Sequence, residues 1–342
     1  ALRSTPHSVM EKRLVPPSGD KHDYMSIAPY FWPDPAKPDG LPYIRKDGQV
    51  NPQRGNADTD AKALGQMSGN VQTLALAFYF TGNEQYATHA AKLLRVWFID
   101  AGTRMNPNLN FAQAIPGRSA GRGIGIIDTV SLIYLVDSIG LLGQSKAWTA
   151  DDQKAMVAWF DAYLDWMLTS KNGKDEAAAT NNHGVWYDAQ VTAYALLARK
   201  TDLARQMVES AKSKRIVAQI RDDGSMPREL ARTNSLSYSL YNLTAFFNLA
   251  NLGKHVGVDL WNYPPKQAPR LRKALDYLAP YVDPDKHWPH EQISQAKRKS
   301  NELPALLRRA SIAYGEPDYD DLRRKFASDH LNDSRMLLLY PH

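Results

Sequence analysis

The sequence predicts an all-α fold in which helical hairpins follow one another along the chain. From about residue 61 onward, apolar residues recur at spacings of three and four, as at Leu64, Met67 and Val71, and alternating runs typical of β-strands are few. Short polar breaks separate the helical stretches, and residues 185–197 are apolar around most of the helix circumference. Helix pairs in series predict a solenoid or a closed α/α toroid.

The first 60 residues are predicted to form an extended, proline-rich N-terminal arm. Eight prolines lie between Pro16 and Pro52, and proline fixes φ and restricts the residue before it, so this segment does not favour a helix. Aromatic side chains such as Tyr24, Tyr30 and Trp32 are frequent in it. We therefore expect an ordered arm, residues 1–60, packed on the body of a single domain that spans residues 1–342.

The helices of the body are predicted in sequence order from their periodicity. Thr149, followed by Ala150, Asp151 and Asp152, is a predicted N-cap because a threonine hydroxyl can accept the first free amides of a helix. The predicted stretches are residues 61–80, 86–97, 124–142, 149–168, 182–198, 203–211, 235–252, 271–278, 303–314 and 319–326.

Composition excludes several classes of protein. The 342 residues contain no cysteine, which excludes disulfides, thiolate metal sites and cysteine nucleophiles. Eight Trp, 17 Tyr and nine Phe exclude a disordered chain. We find no apolar run approaching the roughly 20 residues that a membrane span requires, so no membrane is expected. The formal net charge of +6 suits a polyanionic partner, although a basic protein without one has the same composition.

Two conspicuous motifs are only weak evidence for a nucleotide site or a metal site. The stretch GRGIG at residues 121–125 lacks both the spacing of a dinucleotide loop and a preceding strand. The stretch HWPHE at residues 287–291 has metal-ligating residue types, but its proline disfavours the helix that would align two histidines. We therefore predict no cofactor and no metal, and the dispersed basic residues argue against nucleic acid as a partner.

Two other segments carry candidate chemistry. Asn182 and His183 open an apolar helix, where an asparagine can also be a simple cap. The second segment, residues 228–242, contains Arg232 and Tyr238, which are equally plausible as salt-bridge and core residues.

Together these segments resemble the alginate lyase superfamily of polysaccharide lyases. The resemblance consists of an Asn-His pair at 182–183, followed some fifty residues later by ELxR at 229–232 and YxxY at 238–241. The proline-aromatic stretches at 24–35 and 40–45 are similar to the opening of the same group, and residues 106–118 are closer to polysaccharide lyase family 38 than to family 5. The resemblance covers roughly residues 20 to 280. It implies an incomplete α/α toroid, also called an α/α barrel.

The resemblance implies cleavage of alginate or a related polyuronate such as glucuronan by β-elimination. The proton on C5 is weakly acidic, so the neighbouring carboxylate must be neutralised, which Asn182 and Arg232 would do. By resemblance, Tyr238 is the acid, and also the base where both groups lie on one face of the sugar. His183 is the base for the opposite geometry or positions the carboxylate. Arg232 and Tyr238 are six positions apart, one fewer than in the family 5 pattern, which leaves Arg228 as a rival for the arginine.

The expected partner is an anionic polysaccharide, and the resemblance implies a periplasmic or secreted bacterial enzyme; oligomeric state is not predicted. Two alternatives stay open: an α/α-toroid glycoside hydrolase, for which Asp188 or Glu229 could serve as an acid, and a non-catalytic polyanion-binding protein. The candidate binding residues are cations for the carboxylates and aromatic rings for the sugar faces. They are Arg45, Lys62, Arg118 and Arg122, and Tyr30, Trp32, Trp186 and Tyr241.

Overall fold

A computed structural model describes residues 1–294, 302–326 and 338–341, and these residues are mainly helical. The predicted all-α class is confirmed. The α-helices with eight or more residues are α1 (Ala61–Thr81), α2 (Glu84–Leu94), α3 (Leu132–Leu142), α4 (Ala150–Thr169), α6 (Asn182–Leu197), α7 (Thr201–Ala211), α9 (Ser235–Lys254), α10 (Arg270–Leu278), α11 (Glu302–Tyr314) and α12 (Pro317–Phe326). The short α-helices are α5 (Lys171–Ala177) and α8 (Pro227–Leu230).

The ends of the helices follow local sequence chemistry. Helix α1 ends at Thr81, and the next residue, Gly82, adopts the left-handed conformation (φ 66°) that glycine tolerates best. Asn83 then caps α2 by accepting a hydrogen bond from the amide of Gln85. The predicted cap at Thr149 is confirmed, since Thr149 and Asp152 form a reciprocal capping box at the start of α4.

One predicted helix begins later than its periodicity indicates. The stretch predicted to start at residue 124 opens as a 3₁₀-helix, Gly123–Thr129, and α3 begins only at Leu132. A Cβ atom at Gly123 would lie 2.7 Å from Asn172 O, and one at Gly125 would lie 2.6 Å from Ala112 Cβ. The GRGIG glycines therefore permit close packing of backbone.

The same region corrects the prediction that no apolar stretch approaches the length of a membrane span. Residues 123–142 are long and apolar enough by length and composition alone, although they include the charged residues Asp128 and Asp137. In the structure, 44% of an apolar 18-residue window within this stretch is buried inside the protein, and the carboxylate of Asp128 pairs with Arg54 at 2.7 Å. Such contacts are typical of a helix in a protein core.

Contacts between Cα atoms divide the chain into two compact units. Unit 1 comprises residues 1–178 and 193–201, and unit 2 comprises residues 179–192 and 202–342. The core of unit 1 includes an aromatic cluster in which the ring centroids of Phe98 and Trp159 lie 4.7 Å apart. Helix α9 supplies much of the buried surface of unit 2, including Phe246 and Phe247. The single domain stays a prediction.

The N-terminal segment contributes short strands to unit 1. Strand β1 (Met25–Ile27) pairs in parallel with β4 (Phe111–Ala114), and β2 (Phe31–Trp32) pairs antiparallel with β3 (Ile44–Arg45). Asp60, immediately before α1, accepts the amide of Met25 at 2.8 Å and pairs with buried Lys12 at 3.1 Å. These contacts fix the segment to the start of α1.

Candidate active site

The Asn-His pair lies at the first turn of α6 in unit 2. Asn182 is fully buried and is the first residue of the helix. Its backbone amide donates to Oε1 of Glu229 at 2.7 Å, and its Nδ2 donates to Oε2 of Glu229 at 2.8 Å. Glu229 on α8 therefore accepts a helix amide that has no partner within the helix and orients the Asn182 side chain at the same time. The Oδ1 atom of Asn182 has no hydrogen-bond partner among the described residues.

Glu229 is the carboxylate around which the candidate residues gather. Glu229 is only 1% exposed to solvent. Burial raises the pKa of Glu229, whereas the hydrogen bonds from Asn182 and the electrostatic influence of nearby Arg232 and His183 oppose that rise without cancelling it. The structure thus brings Asn182, His183 and Arg232 together around one buried acid.

Arg232 and Tyr238 form the second half of the cluster. The guanidinium carbon of Arg232 lies 3.8 Å from the centroid of the Tyr238 ring, well inside the range of a cation–π contact. The rival Arg228 is exposed and instead lines a separate cavity of about 710 Å³ together with Arg221 and Arg270. The geometry therefore favours Arg232 for the arginine role.

A buried ion pair between Asp188 and Arg215 stabilises α6. Asp188 accepts two hydrogen bonds from Arg215, at 2.7 and 2.9 Å, and neither side chain is more than 1% exposed. Burial raises the pKa of Asp188, and the hydrogen bonds and charge of Arg215 act in the opposite direction. Arg215 also donates to Ala179 O at 2.6 Å, and a Cβ at Gly184 would collide with both groups. Asp188 is thereby committed to a structural contact.

Two predicted sugar-stacking residues also lie in unit 2. The rings of Trp186 and Tyr241 pack against each other, with centroids 4.9 Å apart and planes tilted by 39°. Trp186 is only 2% exposed, so its ring faces belong to the core, and the structure corrects its predicted role in stacking on sugar. Tyr241 is half-buried and remains a candidate.

Unit 1 holds the remaining predicted binding residues. The guanidinium of Arg122 donates to the backbone oxygen and to Oε1 of Gln113, at 3.0 and 2.9 Å, and burial lowers the pKa of Arg122 to about 10. Arg45 is close enough for its charge to contribute to that lowering. Arg45 is also paired with Asp47 at 2.9 Å, whereas Lys62 and Arg118 are exposed.

Tyr30 and Trp32, the two aromatic residues of the N-terminal segment that are predicted to bind sugar, are partly exposed. Trp32 donates from Nε1 to Gln49 O at 2.9 Å, and Lys46 lies 5.4 Å from its ring centroid. Tyr30 is half-buried and lies within electrostatic range of Arg54. Tyr30 and Arg122 therefore both lie within electrostatic range of Arg54, an arginine that the sequence analysis did not select, and Arg45 lies within electrostatic range of Arg122.

The sequence analysis missed a polar cluster in unit 1. The Asp128 carboxylate accepts from Ser26 Oγ at 2.5 Å, Arg54 Nη2 at 2.7 Å, Gln113 Nε2 at 3.0 Å and Tyr24 OH at 3.1 Å. Gln113 has φ of 49°, a left-handed conformation that costs free energy for a residue other than glycine. A buried polar residue held in such a conformation is typical of a functional site.

A comparison with models of known protein families identifies the family of this chain. The family model described as Alginate lyase matches residues 8–288. The chain belongs to the alginate lyase family. A comparison with curated protein sequences gives no match.

Solved structures agree with this family. The structure of an alginate lyase from Bacteroides ovatus is 43% identical in sequence, with a TM-score of 0.94 over 99% of this chain and 89% of that one. Alginate lyase A1-III from Sphingomonas species A1 is 17% identical, with a TM-score of 0.60 over 92% of this chain and 84% of that one. A histidine-to-alanine variant of A1-III complexed with a tetrasaccharide has a TM-score of 0.65 at 19% identity, covering 95% and 80% of the two chains.

These findings confirm several predictions for this alginate lyase. The predicted α/α-toroid class is confirmed by the similarity to the alginate lyase from Bacteroides ovatus. The predicted enzyme class, a polysaccharide lyase with an anionic polysaccharide as substrate, is confirmed by membership of the family. The individual catalytic and binding residues stay predictions.

In the HWPHE stretch, residues 287–291, the side chains of Trp288 and His290 take part in packing and hydrogen bonding. His290 is hydrogen-bonded through Nε2 to the hydroxyl of Tyr277 at 2.9 Å, and its ring lies 5.1 Å from that of buried Trp288. Within the parts of the chain that the structure describes, no three His, Asp or Glu side chains are grouped as metal ligands.

Proposed function

We propose that this alginate lyase cleaves polyuronates, with alginate and glucuronan as candidate substrates, by β-elimination. A base removes the proton from C5, the electron pair of that C–H bond forms a C4=C5 double bond, and the bond from C4 to the glycosidic oxygen breaks. An acid donates a proton to the leaving oxygen. The products are a new chain end and an unsaturated uronate, and no water is consumed.

The positive charge of Arg232 and the amide of Asn182 are proposed to neutralise the uronate carboxylate. Negative charge spreads into that carboxylate as the C5 proton leaves, so donors placed there stabilise the transition state. Glu229 accepts one Nδ2 hydrogen of Asn182, and the second hydrogen is the proposed donor to the substrate. Because Glu229 holds Nδ2, the amide has one defined orientation before the substrate arrives.

Tyr238 is the proposed acid, and also the base where both reacting groups lie on one face of the sugar. The observation that carries this assignment is the contact of 3.8 Å between the Arg232 guanidinium and the Tyr238 ring. A tyrosine hydroxyl, with a pKa near 10 in water, becomes an effective base only where a positive charge stabilises tyrosinate. His183, beside Asn182, is the proposed base for the uronate epimer whose C5 proton lies on the opposite face, or it positions the carboxylate.

Glycoside hydrolysis is less well supported by the same geometry. That reaction needs two carboxyl groups flanking the bond, one of them a proton donor and the other a base or a nucleophile. The two candidate acids are Asp188 and Glu229. Asp188 is bound on both oxygens by Arg215, and Glu229 is bound on both oxygens by Asn182.

The binding of the polymer is assigned to cations in unit 1. A polyuronate carries about one negative charge per sugar, and the group of Tyr30, Arg45, Arg54 and Arg122 offers both charge and an aromatic face. A periplasmic or secreted location is part of the proposal, on the strength of the family resemblance.

Replacement of Tyr238 by phenylalanine tests the mechanism. Tyr238→Phe is expected to lower kcat by about 10²- to 10⁴-fold on polymannuronate, polyguluronate or glucuronan, whichever the enzyme cleaves, because only the hydroxyl moves protons. The ultraviolet absorbance of the unsaturated product measures the rate and separates elimination from hydrolysis. Tyr79→Phe, an exposed tyrosine on α1, is the control and should keep full activity. Activity within a few-fold of the parent enzyme would exclude Tyr238 and make Tyr241 the next candidate.

A further inference from the structure

Helix α9, which carries Tyr238, begins without a cap from its own sequence. Asn234 precedes the helix with φ of −123° and ψ of 58°, and within the described residues its side chain makes no capping hydrogen bond to the first turn. The first amides of any helix lack partners inside the helix and must find them elsewhere. Asn234 and Ser235 are also completely buried, so water cannot serve them.

A later segment of the chain, residues 288–294, supplies these partners; we call it the capping segment. The amide of Ser235 donates to Glu291 O at 3.0 Å, and the amide of Leu236 donates to Oε1 of Gln292 at 3.1 Å. The hydroxyl of Ser235 donates to Glu291 O at 2.6 Å and accepts a hydrogen bond from the indole of Trp288 at 2.8 Å. The capping segment thus caps the N-terminus of α9, as a serine or aspartate at the N-cap position does in other helices.

Gln292 is the centre of the contact. Its Nε2 donates to Oδ1 of Asn234 at 3.2 Å and to Oγ of Ser237 at 3.0 Å. The amide of Ser294 donates to the same Asn234 oxygen at 3.0 Å, and the amide of Ile293 donates to the backbone oxygen of Thr233 at 2.9 Å. Asn234 is therefore fixed by two donors from the capping segment.

The contacted residues, 233–237, are the entire connection between Arg232 and Tyr238. The backbone oxygen of Asn234 accepts the amide of Tyr238 at 3.0 Å, so a shift of Asn234 moves Tyr238 with it. Most of the capping segment, residues 289–294, follows the region that the family model matches, which ends at residue 288.

We propose that the capping segment, through Gln292, sets the position of the Tyr238 hydroxyl relative to Arg232, which makes Gln292 a positioning residue for the elimination. The inference rests on the proposed role of Tyr238. A base must lie within hydrogen-bond reach of the proton it removes, and the hydrogen bonds of Gln292 hold the first turn of α9 where that reach is possible.

Two variants of Gln292 test this inference in the whole 342-residue chain. Gln292→Ala removes the side-chain hydrogen bonds to Asn234, Leu236 and Ser237 and is expected to lower kcat by about 10- to 100-fold, since misplacement of a catalytic group by about 1 Å has an effect of that size. KM should stay within about threefold, because the binding cations are untouched. Gln292→Glu keeps the acceptor for Leu236 but places a carboxylate against Asn234 Oδ1, so its kcat should lie between those of Gln292→Ala and the parent enzyme.

The pH dependence of kcat separates positioning from simple loss of stability. If Tyr238 moves away from Arg232, tyrosinate loses a stabilising charge, and the rise of kcat with pH should shift to higher pH in both variants. Gln153→Ala is the matched control, since Gln153 accepts a hydrogen bond from the indole of buried Trp148 at 2.9 Å in unit 1. It should lower the melting temperature comparably and leave both kcat and the pH profile unchanged.

The outcomes distinguish this inference from the proposed function. If Tyr238→Phe is inactive while folded Gln292→Ala keeps full kcat and the parent pH profile, the capping segment has no positioning role and the proposed function stands. If Gln292→Ala does not fold, parental kcat in Gln292→Glu would likewise overturn the inference. Full activity of Tyr238→Phe would remove the proposed role of Tyr238 and, with it, the inference about Gln292.

Discussion

Glu229 and Asp188 are two buried carboxylates whose different partners give them different roles. Asp188 faces the guanidinium of Arg215, an opposite charge that matches it inside the protein. Glu229 faces the neutral donors of Asn182, and Arg232 and His183 act on it electrostatically. A carboxylate that binds two donors of one asparagine orients that side chain, so we assign Glu229 to the proposed site and Asp188 to the structural support of α6.

Replacement of Glu229 by glutamine tests this difference at the scale of one residue. The new amide side chain would offer one acceptor and one donor to Asn182, which presents two donors, so the Asn182 amide must flip or lose a hydrogen bond. The Glu229→Gln variant should therefore lose about 10- to 100-fold in kcat while remaining folded. Product absorbance gives kcat, and circular dichroism checks the fold.

Glu176→Gln is the control for the Glu229 experiment. Glu176 on α5 is as deeply buried as Glu229 but belongs to unit 1, so any loss of stability from replacing a buried acid should be shared. A kcat equal to that of the parent enzyme in folded Glu229→Gln would contradict the orienting role.

The candidate site was partly predictable from sequence at this scale. Asn182, His183, Arg232 and Tyr238 belong to two short motifs, and the structure brings both motifs together around Glu229. The cluster around Asp128 was not predictable, because its members come from segments around residues 24–26, 54, 113 and 128 that only the fold brings together. The burial of Trp186 was likewise not predictable, since the sequence pattern of an aromatic residue on an apolar helix is the same whether the side chain faces a core or a cleft.

At the scale of elements, periodicity located the longer helices but not the short α5 and α8, and not every boundary. Helix α6 was predicted over residues 182–198 and spans Asn182–Leu197. Helix α3 was predicted to begin at residue 124 instead of Leu132, because the preceding residues are apolar at helical spacing yet pack too tightly at Gly123 and Gly125 for an ordinary helix. The capping of α9 by residues 288–294 joins segments more than fifty positions apart, which no local cap signal could reveal.

The stability of α6 should depend on the Asp188–Arg215 pair. Arg215→Met leaves Asp188 buried without its partner and is expected to lower the free energy of unfolding by about 3–5 kcal/mol. Protonated Asp188 is neutral, so the folded variant should bind a proton that the unfolded chain does not. The deficit should therefore shrink as pH falls from neutral to mildly acidic. Urea unfolding at both pH values measures it.

Arg205→Met on the exposed face of α7 is the control for the buried pair. It removes the same charge and shape from the surface and should change the free energy of unfolding by less than about 0.5 kcal/mol. A double variant, Asp188→Leu with Arg215→Met, should recover much of the loss because no uncompensated charge remains. Equal destabilisation by Arg215→Met and Arg205→Met would show that the pair contributes little.

At the scale of the whole molecule, the net charge of the protein and the charge of its polysaccharide substrate have opposite signs. The 42 Lys and Arg residues outnumber the 36 Asp and Glu residues, and alginate is a polyanion. Opposite charges accelerate diffusional encounter, and salt screens that attraction beyond about 10 Å at 0.1 M ionic strength. Of the groups proposed to perform the elimination, Arg232 and Tyr238 are in direct contact, so salt should affect their interaction much less.

Salt should therefore weaken the capture of substrate more than the chemical step. Raising NaCl from about 20 mM to about 200 mM should lower kcat/KM several-fold and leave kcat nearly constant. Lys62→Ala and Arg118→Ala, at exposed cations predicted to bind the polymer, should each reduce the salt dependence, because each removes part of the attracting charge. Lys154→Ala, an exposed lysine on α4 outside the predicted binding set, is the control and should retain more of the parent slope. A kcat/KM that does not change across this range would mean that the positive surface charge has no part in capturing the polymer, and binding would then depend on short-range contacts such as those of Arg122.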